Sequence, residues 1–161
     1  MDGKPLSIAI AFVFGASTVA LAQGQQQRPG AGQVTGPVRV EMQQSQAYGQ
    51  YLTDGQGRAL YMFTADSKES SSCYDACAAA WPPLLTRGQP SAGQQVNELM
   101  LGTLQRRDGG MQVTYNGMPL YYFARDQAAG SATGQDVKGF GGEWYLVSPQ
   151  GEKVKKGEKG G

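Results

Sequence analysis

The sequence predicts a mainly β fold, a β-rich α+β domain of two repeated antiparallel hairpin units with one short helix at the Cys-x3-Cys segment. Three observations carry this expectation: a gapless internal repeat, turn signals set between short aromatic runs, and 24 glycines in 161 residues. Glycine at that level, with Tyr, Phe, Thr and Val in the runs between, suits short strands joined by tight turns and not a helix bundle.

In the repeat, Gly57-Arg58-Ala59-Leu60-Tyr61-Met62-Phe63-Thr64-Ala65-Asp66 aligns on Gly117-Met118-Pro119-Leu120-Tyr121-Tyr122-Phe123-Ala124-Arg125-Asp126. The Gly, Leu, Tyr, Phe and Asp positions are shared, and a tryptophan follows each copy, Trp81 in the first and Trp144 in the second. A lone hairpin cannot bury its apolar face, so two related halves are expected to pack together.

Each copy reads locally as a hairpin. Tyr51-Leu52-Thr53 enters the turn Asp54-Gly55-Gln56-Gly57 and returns through Leu60 to Phe63, while Gln112 to Tyr115 meets Asn116-Gly117 and returns through Leu120 to Phe123. Side-chain alternation puts Leu60 and Met62 on one face and Tyr61 and Phe63 on the other. The second copy repeats this with Leu120 and Tyr122 against Tyr121 and Phe123, so both faces are expected to be covered. Leu101 to Gln105 with the turn Asp108-Gly109-Gly110 leads into the second copy, and Trp144 to Val147 adds a late strand. The one helix expected runs from Tyr74 to Ala80 and is ended by Pro82 and Pro83.

Around this domain, assigned to residues 37–151 with repeats at about 47–85 and 101–151, lie three segments of different character. Residues 1–22 read as a secretory signal: Lys4, an apolar run from Leu6 through Leu21, and Ala20-Leu21-Ala22 as a cleavage site before Gln23. The run is short for a retained span and contains Gly15, Ser17 and Thr18, so no firm membrane anchor is expected in the mature chain. Residues 23–36 are a Gln/Gly/Pro spacer with little to bury, and residues 152–161 a Lys/Gly tail. The expected location is extracytoplasmic, periplasmic or secreted.

Composition removes several chemistries. The chain has no histidine, which takes away the usual general base and the commonest metal ligand. Its net charge of +1 comes from scattered residues, so nucleic acid is not an expected partner. No cofactor motif is present, and the reading points away from an enzyme. A hydrolase would have to rely on carboxylates such as Asp54 and Asp66.

The segment Tyr51-Leu52-Thr53-Asp54, Gly57-Arg58, Leu60-Tyr61, Phe63, Asp66, Cys73, Cys77, Trp81-Pro82-Pro83-Leu84 resembles the secreted-repeat family, also described as predicted lipoproteins with a Tyr-x4-Asp motif. Arg107-Asp108-Gly109, Tyr115-Asn116-Gly117, Pro119-Leu120-Tyr121, Phe123, Asp126 and Trp144 extend the resemblance to the second half. It implies an exported or envelope location in bacteria and paired repeats, and supplies no activity. Many relatives look like lipoproteins, whereas no cysteine follows the apolar run here.

Candidate site residues follow from pattern. Cys73 and Cys77 are the only cysteines, and an even count in an exported chain favours a disulfide. It reads as a staple for the loop that presents Trp81. The alternative is a redox-active dithiol, against which stand the spacing, the lack of a thioredoxin-like βαβ pattern, and Asp75 between the cysteines. Tyr61 with Asp66 and Tyr121 with Asp126 form a repeated pair that either ligates a hard cation or a ligand, or caps a turn while the phenol satisfies a buried edge. Exposed members of the aromatic set that includes Trp81 and Trp144 would form a stacking surface. The function expected is therefore a non-enzymatic envelope module with an unknown partner or small ligand; the alternative is an extracytoplasmic thiol–disulfide or electron-transfer accessory using Cys73 and Cys77.

Overall fold

A computed structural model describes residues Gly36–Lys155, with Gly3 besides. The expected signal, the spacer up to residue 35 and the tail from residue 156 lie outside the described residues. In chain order the elements are β1 (Arg39–Ser45), β2 (Gly49–Asp54), β3 (Tyr61–Phe63), α1 (Ala76–Ala80), β4 (Ser91–Ala92), β5 (Leu101–Gln105), β6 (Met111–Tyr115), β7 (Met118–Pro119), β8 (Val137–Gly139) and β9 (Gly142–Leu146), with a 3₁₀ turn at Glu98–Met100. They form three small sheets, ordered β2-β1-β4, β3-β9-β8 and β5-β6-β7.

Both expected turns close where the sequence puts them. Asp54 is buried and organises the first: its carboxylate accepts from the backbone N–H groups of Gln56 and Arg58 and from Arg58 Nε. Leu60 N–H then bonds back to Leu52 O at 3.0 Å. In the second, Asn116 and Gly117 both take positive φ, at 50° and 79°, the geometry that makes Asn-Gly the favoured two-residue hairpin loop.

Beyond Leu60 and Leu120, which still bond back to Leu52 and Val113, the returning strands leave their own hairpins. β3 pairs antiparallel with β9 of the second repeat, in the register Tyr61↔Leu146, Met62↔Tyr145 and Phe63↔Trp144. The reciprocal exchange joins the second copy to the first: Leu84 N–H bonds Leu120 O at 2.9 Å, Tyr122 N–H bonds Pro82 O at 2.8 Å and Ala124 N–H bonds Ala80 O at 2.9 Å. Where the copies meet, Tyr61 and Tyr121 exchange backbone hydrogen bonds in both directions at 2.9 Å. The first repeat thus supplies an edge strand to the β3-β9-β8 sheet, while the second repeat reaches back through isolated bridges at Pro83↔Tyr121 and Tyr61↔Tyr121.

The two faces of the repeated strands bury into two separate cores, as the alternation predicts. Tyr61, Phe63, Tyr121, Trp81 and Trp144 belong to one cluster with Cys73 and Cys77. Leu60, Leu120, Leu52, Leu84 and Val113 form the other, with Met62 and Tyr122 packed against it.

Several details differ from the sequence expectation. The helix begins at Ala76 and not at Tyr74, because Asp75 adopts a positive φ of 52° that interrupts the helical path. Cys73 therefore lies in the loop before α1 and only Cys77 on it. β1, β4 and β8 carry no clear turn-bounded aromatic run and were not expected as strands. The fold also runs past residue 151: Val154 is buried, its N–H bonds Leu146 O at 2.8 Å, and its carbonyl accepts from Gln135 Nε2 at 2.8 Å.

Candidate functional site

The repeated residues converge on one seam between the two copies. Tyr61 donates its hydroxyl to Asp126 Oδ2 at 2.5 Å, and Tyr121 donates its own to Asp66 Oδ2 at 2.6 Å. The pairing is crossed, each tyrosine reaching the aspartate of the other repeat and not the one five positions further along its own chain. The other oxygen of each carboxylate holds the loop that follows. Asp66 Oδ1 accepts from Ser72 N and Oγ, both at 2.7 Å, and Asp126 Oδ1 accepts from Thr133 N at 2.9 Å and Oγ1 at 2.6 Å. The turn-capping role and the buried-phenol role thus fall to the same carboxylate.

Both phenols are fully buried. Burial pushes their ionisation well above the ordinary phenol value, and the adjacent carboxylate adds to the shift, Asp126 for Tyr61 and Asp66 for Tyr121. The groups remain protonated donors at any physiological pH.

Between these clasps four rings stack. Phe63 lies on Trp144 with centroids 4.1 Å apart, Trp144 on Trp81 at 4.0 Å with planes 1° from parallel, and Trp81 on Phe123 at 4.2 Å. Every step of this column crosses from one repeat to the other. Tyr61 meets Trp81 edge-on at 5.4 Å and Tyr121 meets Trp144 edge-on at 5.1 Å. Trp144 Nε1 is the one buried side-chain polar atom without a hydrogen-bond partner among the described residues.

Cys73 and Cys77 form a disulfide with Cα atoms 5.2 Å apart, buried in the same core. The loop it closes is gripped by a residue that the sequence reading passed over. Arg106, 2 % exposed, donates to Ser71 Oγ at 2.9 Å, Gln112 Oε1 at 2.7 Å and Cys73 O at 2.9 Å, and pairs with Asp108 at 2.9 Å. Its hydrogen bonds hold the Asp108 carboxyl below the usual carboxylate range. Two guanidinium groups lie over the Tyr74 ring, that of Arg106 at 4.3 Å and that of Arg107 at 3.7 Å from its centre. The signal that could have found Arg106 was a charged residue directly after the strand Leu101–Gln105 and beside the Asp-Gly-Gly turn.

Asp54, the other carboxylate considered for hydrolysis, is bound by Arg58 at 2.8 Å and by the Tyr122 hydroxyl at 2.9 Å, with Arg58 stacked over the Tyr122 ring at 4.0 Å. Asp54 and Asp66 are thus committed to different partners. Among the described residues no group of three or more Cys, Asp or Glu side chains is arranged to hold a metal ion.

A family model described as a secreted repeat of unknown function matches this chain twice, over residues 44–85 and 102–148. The chain belongs to that family. In this secreted-repeat protein the two matched segments are the two halves that exchange strands at the seam. No curated protein and no solved structure matches it. No helix among the described residues is long and apolar enough to cross a membrane.

Open surface at the repeat junction lies elsewhere. A polar groove of about 420 Å³ runs between the β1–β2 turn and the end of the second repeat, lined by Gln44, Tyr48, Gln50, Ser148, Gln150 and Glu152 among others. Its amides and hydroxyls offer both donors and acceptors, and Tyr48 is half-buried beside them.

Proposed function

We propose that this secreted-repeat protein is a non-enzymatic envelope module, exported and freed by cleavage near Ala22, that presents a rigid surface to a partner or small ligand. The observation that carries the reading is the consumption of the repeated side chains by one another. Tyr61, Tyr121, Trp81 and Trp144 are at most 1 % exposed, and the carboxylates of Asp66 and Asp126 have both oxygens engaged within the protein. Groups so occupied hold halves together and have little capacity left for a ligand. On this reading Cys73–Cys77 is a staple: the pair is buried, and Arg106 fixes the loop around it. Ligand recognition then falls to outer surfaces, and the groove lined by Gln44, Gln50 and Gln150 is a candidate.

The test is the reduction potential of Cys73–Cys77 in the mature protein, with unfolding of the Cys73→Ser/Cys77→Ser variant followed beside it. A potential below about −300 mV, with a clear loss of stability in the variant, is expected of a staple. A potential between about −120 and −230 mV, with stability unchanged, would transfer the protein to the thiol–disulfide or electron-transfer class.

A further inference from the structure

We propose that the outer edge of β5 is a self-association site, where a second copy of this chain adds its own β5 in antiparallel register about a two-fold axis through Thr103. The ladder between β5 and β6 fixes which backbone groups face outward. Asn116 N–H bonds Met100 O and Arg106 N–H bonds Gly110 O, both at 2.8 Å, so the alternation of an antiparallel pair commits Gly102 and Leu104 to β6. Val113, opposite Thr103, gives its N–H to Leu84 O and its carbonyl to Leu120 N–H. Thr103 and Gln105 therefore point both N–H and C=O away from the sheet. Leu101 points its C=O the same way, its N–H being held by Glu98 O. Among the described residues no strand pairs with that edge.

The other margins of the three sheets are short or occupied. β4 and β7 have two residues each, and β7 contains Pro119. β8 has three, with Lys138 ion-paired to Glu143 at 3.1 Å. β2 gives Leu52 N–H to Val147 O and accepts Leu60 N–H at Leu52 O, and β3 is met by Tyr121. β5 offers a five-residue edge, Leu-Gly-Thr-Leu-Gln, with neither charge nor proline, the devices that ordinarily keep an edge from pairing. Self-complementarity favours a copy of the same chain over any other extended segment. About an axis through Thr103, the Thr103 N–H of each copy meets the Thr103 C=O of the other, and the Gln105 N–H of each meets the Leu101 C=O of the other. Glu98, exposed on the turn before β5, and Arg107, exposed just after it, have no ion-pair partner among the described residues. Antiparallel docking sets each beside its opposite, whereas a parallel alignment would set like beside like. Leu99, 95 % exposed on the same turn as Glu98, is covered by the same docking. A net charge of +1 gives two copies no long-range repulsion.

Sedimentation equilibrium of the mature protein between about 10 μM and about 1 mM is expected to show a monomer–dimer equilibrium. Amide exchange read residue by residue should show protection of Thr103 and Gln105 rising with concentration, while Gly102 and Leu104 are protected throughout. Thr103→Pro removes an outward N–H and no bond to β6, so it should weaken the dimer by about tenfold or more with the Leu104 amide still protected. If that variant fails to fold, the exposed charges outside the strand decide. Glu98→Arg and Arg107→Glu should each weaken the dimer by about tenfold, and the two together should restore it. The proposal is overturned if the protein stays monomeric at the highest concentration, or if Thr103 and Gln105 exchange at rates independent of concentration. It is equally overturned if Thr103→Pro dimerises like wild type, or if the paired charge change weakens the dimer as much as either change alone.

Discussion

If the crossed clasp joins the repeats, Tyr61 and Asp126 should be energetically coupled and Tyr61 and Asp66 should not. Tyr61→Phe removes a hydrogen bond to a charged acceptor, worth about 1.5–3 kcal/mol, and strands the Gly134 N–H that bonds the phenol oxygen at 3.2 Å. A loss of about 3 kcal/mol is expected. Asp126→Ala leaves the buried Tyr61 hydroxyl without an acceptor and releases both Thr133 bonds, for a loss of about 3–4 kcal/mol. The double variant no longer contains the stranded hydroxyl, so its loss should fall short of the sum by about 2 kcal/mol. Urea unfolding of the four proteins at neutral pH measures this, provided the slope against denaturant stays constant. The mirror cycle on Tyr121 and Asp66 should give the same sign. A cycle on Tyr61 and Asp66 should be additive to within about 0.5 kcal/mol. Additivity in the crossed cycles, or coupling in the same-repeat cycle, would refute the clasp.

Alkali should weaken the domain. The phenols of Tyr61, Tyr121 and Tyr122 have their ionisation raised by burial in the folded state. Below the ordinary phenol value of about 10, folded and unfolded chains are equally protonated and these groups cause no pH dependence. Above it the unfolded chain loses protons that the folded one keeps, so stability should fall by about 1.4 kcal/mol per pH unit for each phenol, about 4 for the three. Urea midpoints between about pH 8 and 11 would reveal the slope, and a flat profile would contradict the burial. Gly134→Ala places a Cβ 2.8 Å from Trp81 Cη2 and 2.9 Å from Tyr61 Cε1. Overpacking there should cost about 1–3 kcal/mol and shift tryptophan fluorescence. Cys73→Ser/Cys77→Ser should lose about 2 kcal/mol, the loop-closure entropy of so short a ring, read as a lower urea midpoint.

Much of the fold was legible because its signals are local. The Asp54–Gly57 and Asn116-Gly117 turns depend on backbone preferences of the residues that form them, and the period of two along Leu60–Phe63 separates the two cores without reference to anything distant. β1 and β4 were not legible. Their pairing, Arg39↔Ser91 and Val40↔Ala92, joins segments far apart in the chain that carry no patterned aromatic run. The start of α1 differs from the expectation because Asp75, between the two bridged cysteines, takes a positive φ, which helix propensity does not mark.

The candidate site divides the same way. The repeat, the family, the six residues Tyr61, Asp66, Trp81, Tyr121, Asp126 and Trp144, and the even cysteine pair were all contained in the linear chain, since duplication leaves matching residues at matching spacing. Only the tertiary structure decided which tyrosine meets which aspartate. A chain in which each repeat clasps itself and one in which the repeats clasp each other have the same residues at the same spacing. Strand exchange between β3 and β9 turns each Tyr toward the other repeat's Asp and brings Trp81 and Trp144 face to face. Long-range register is set by the packing of both halves at once, and no local stretch of either half encodes it.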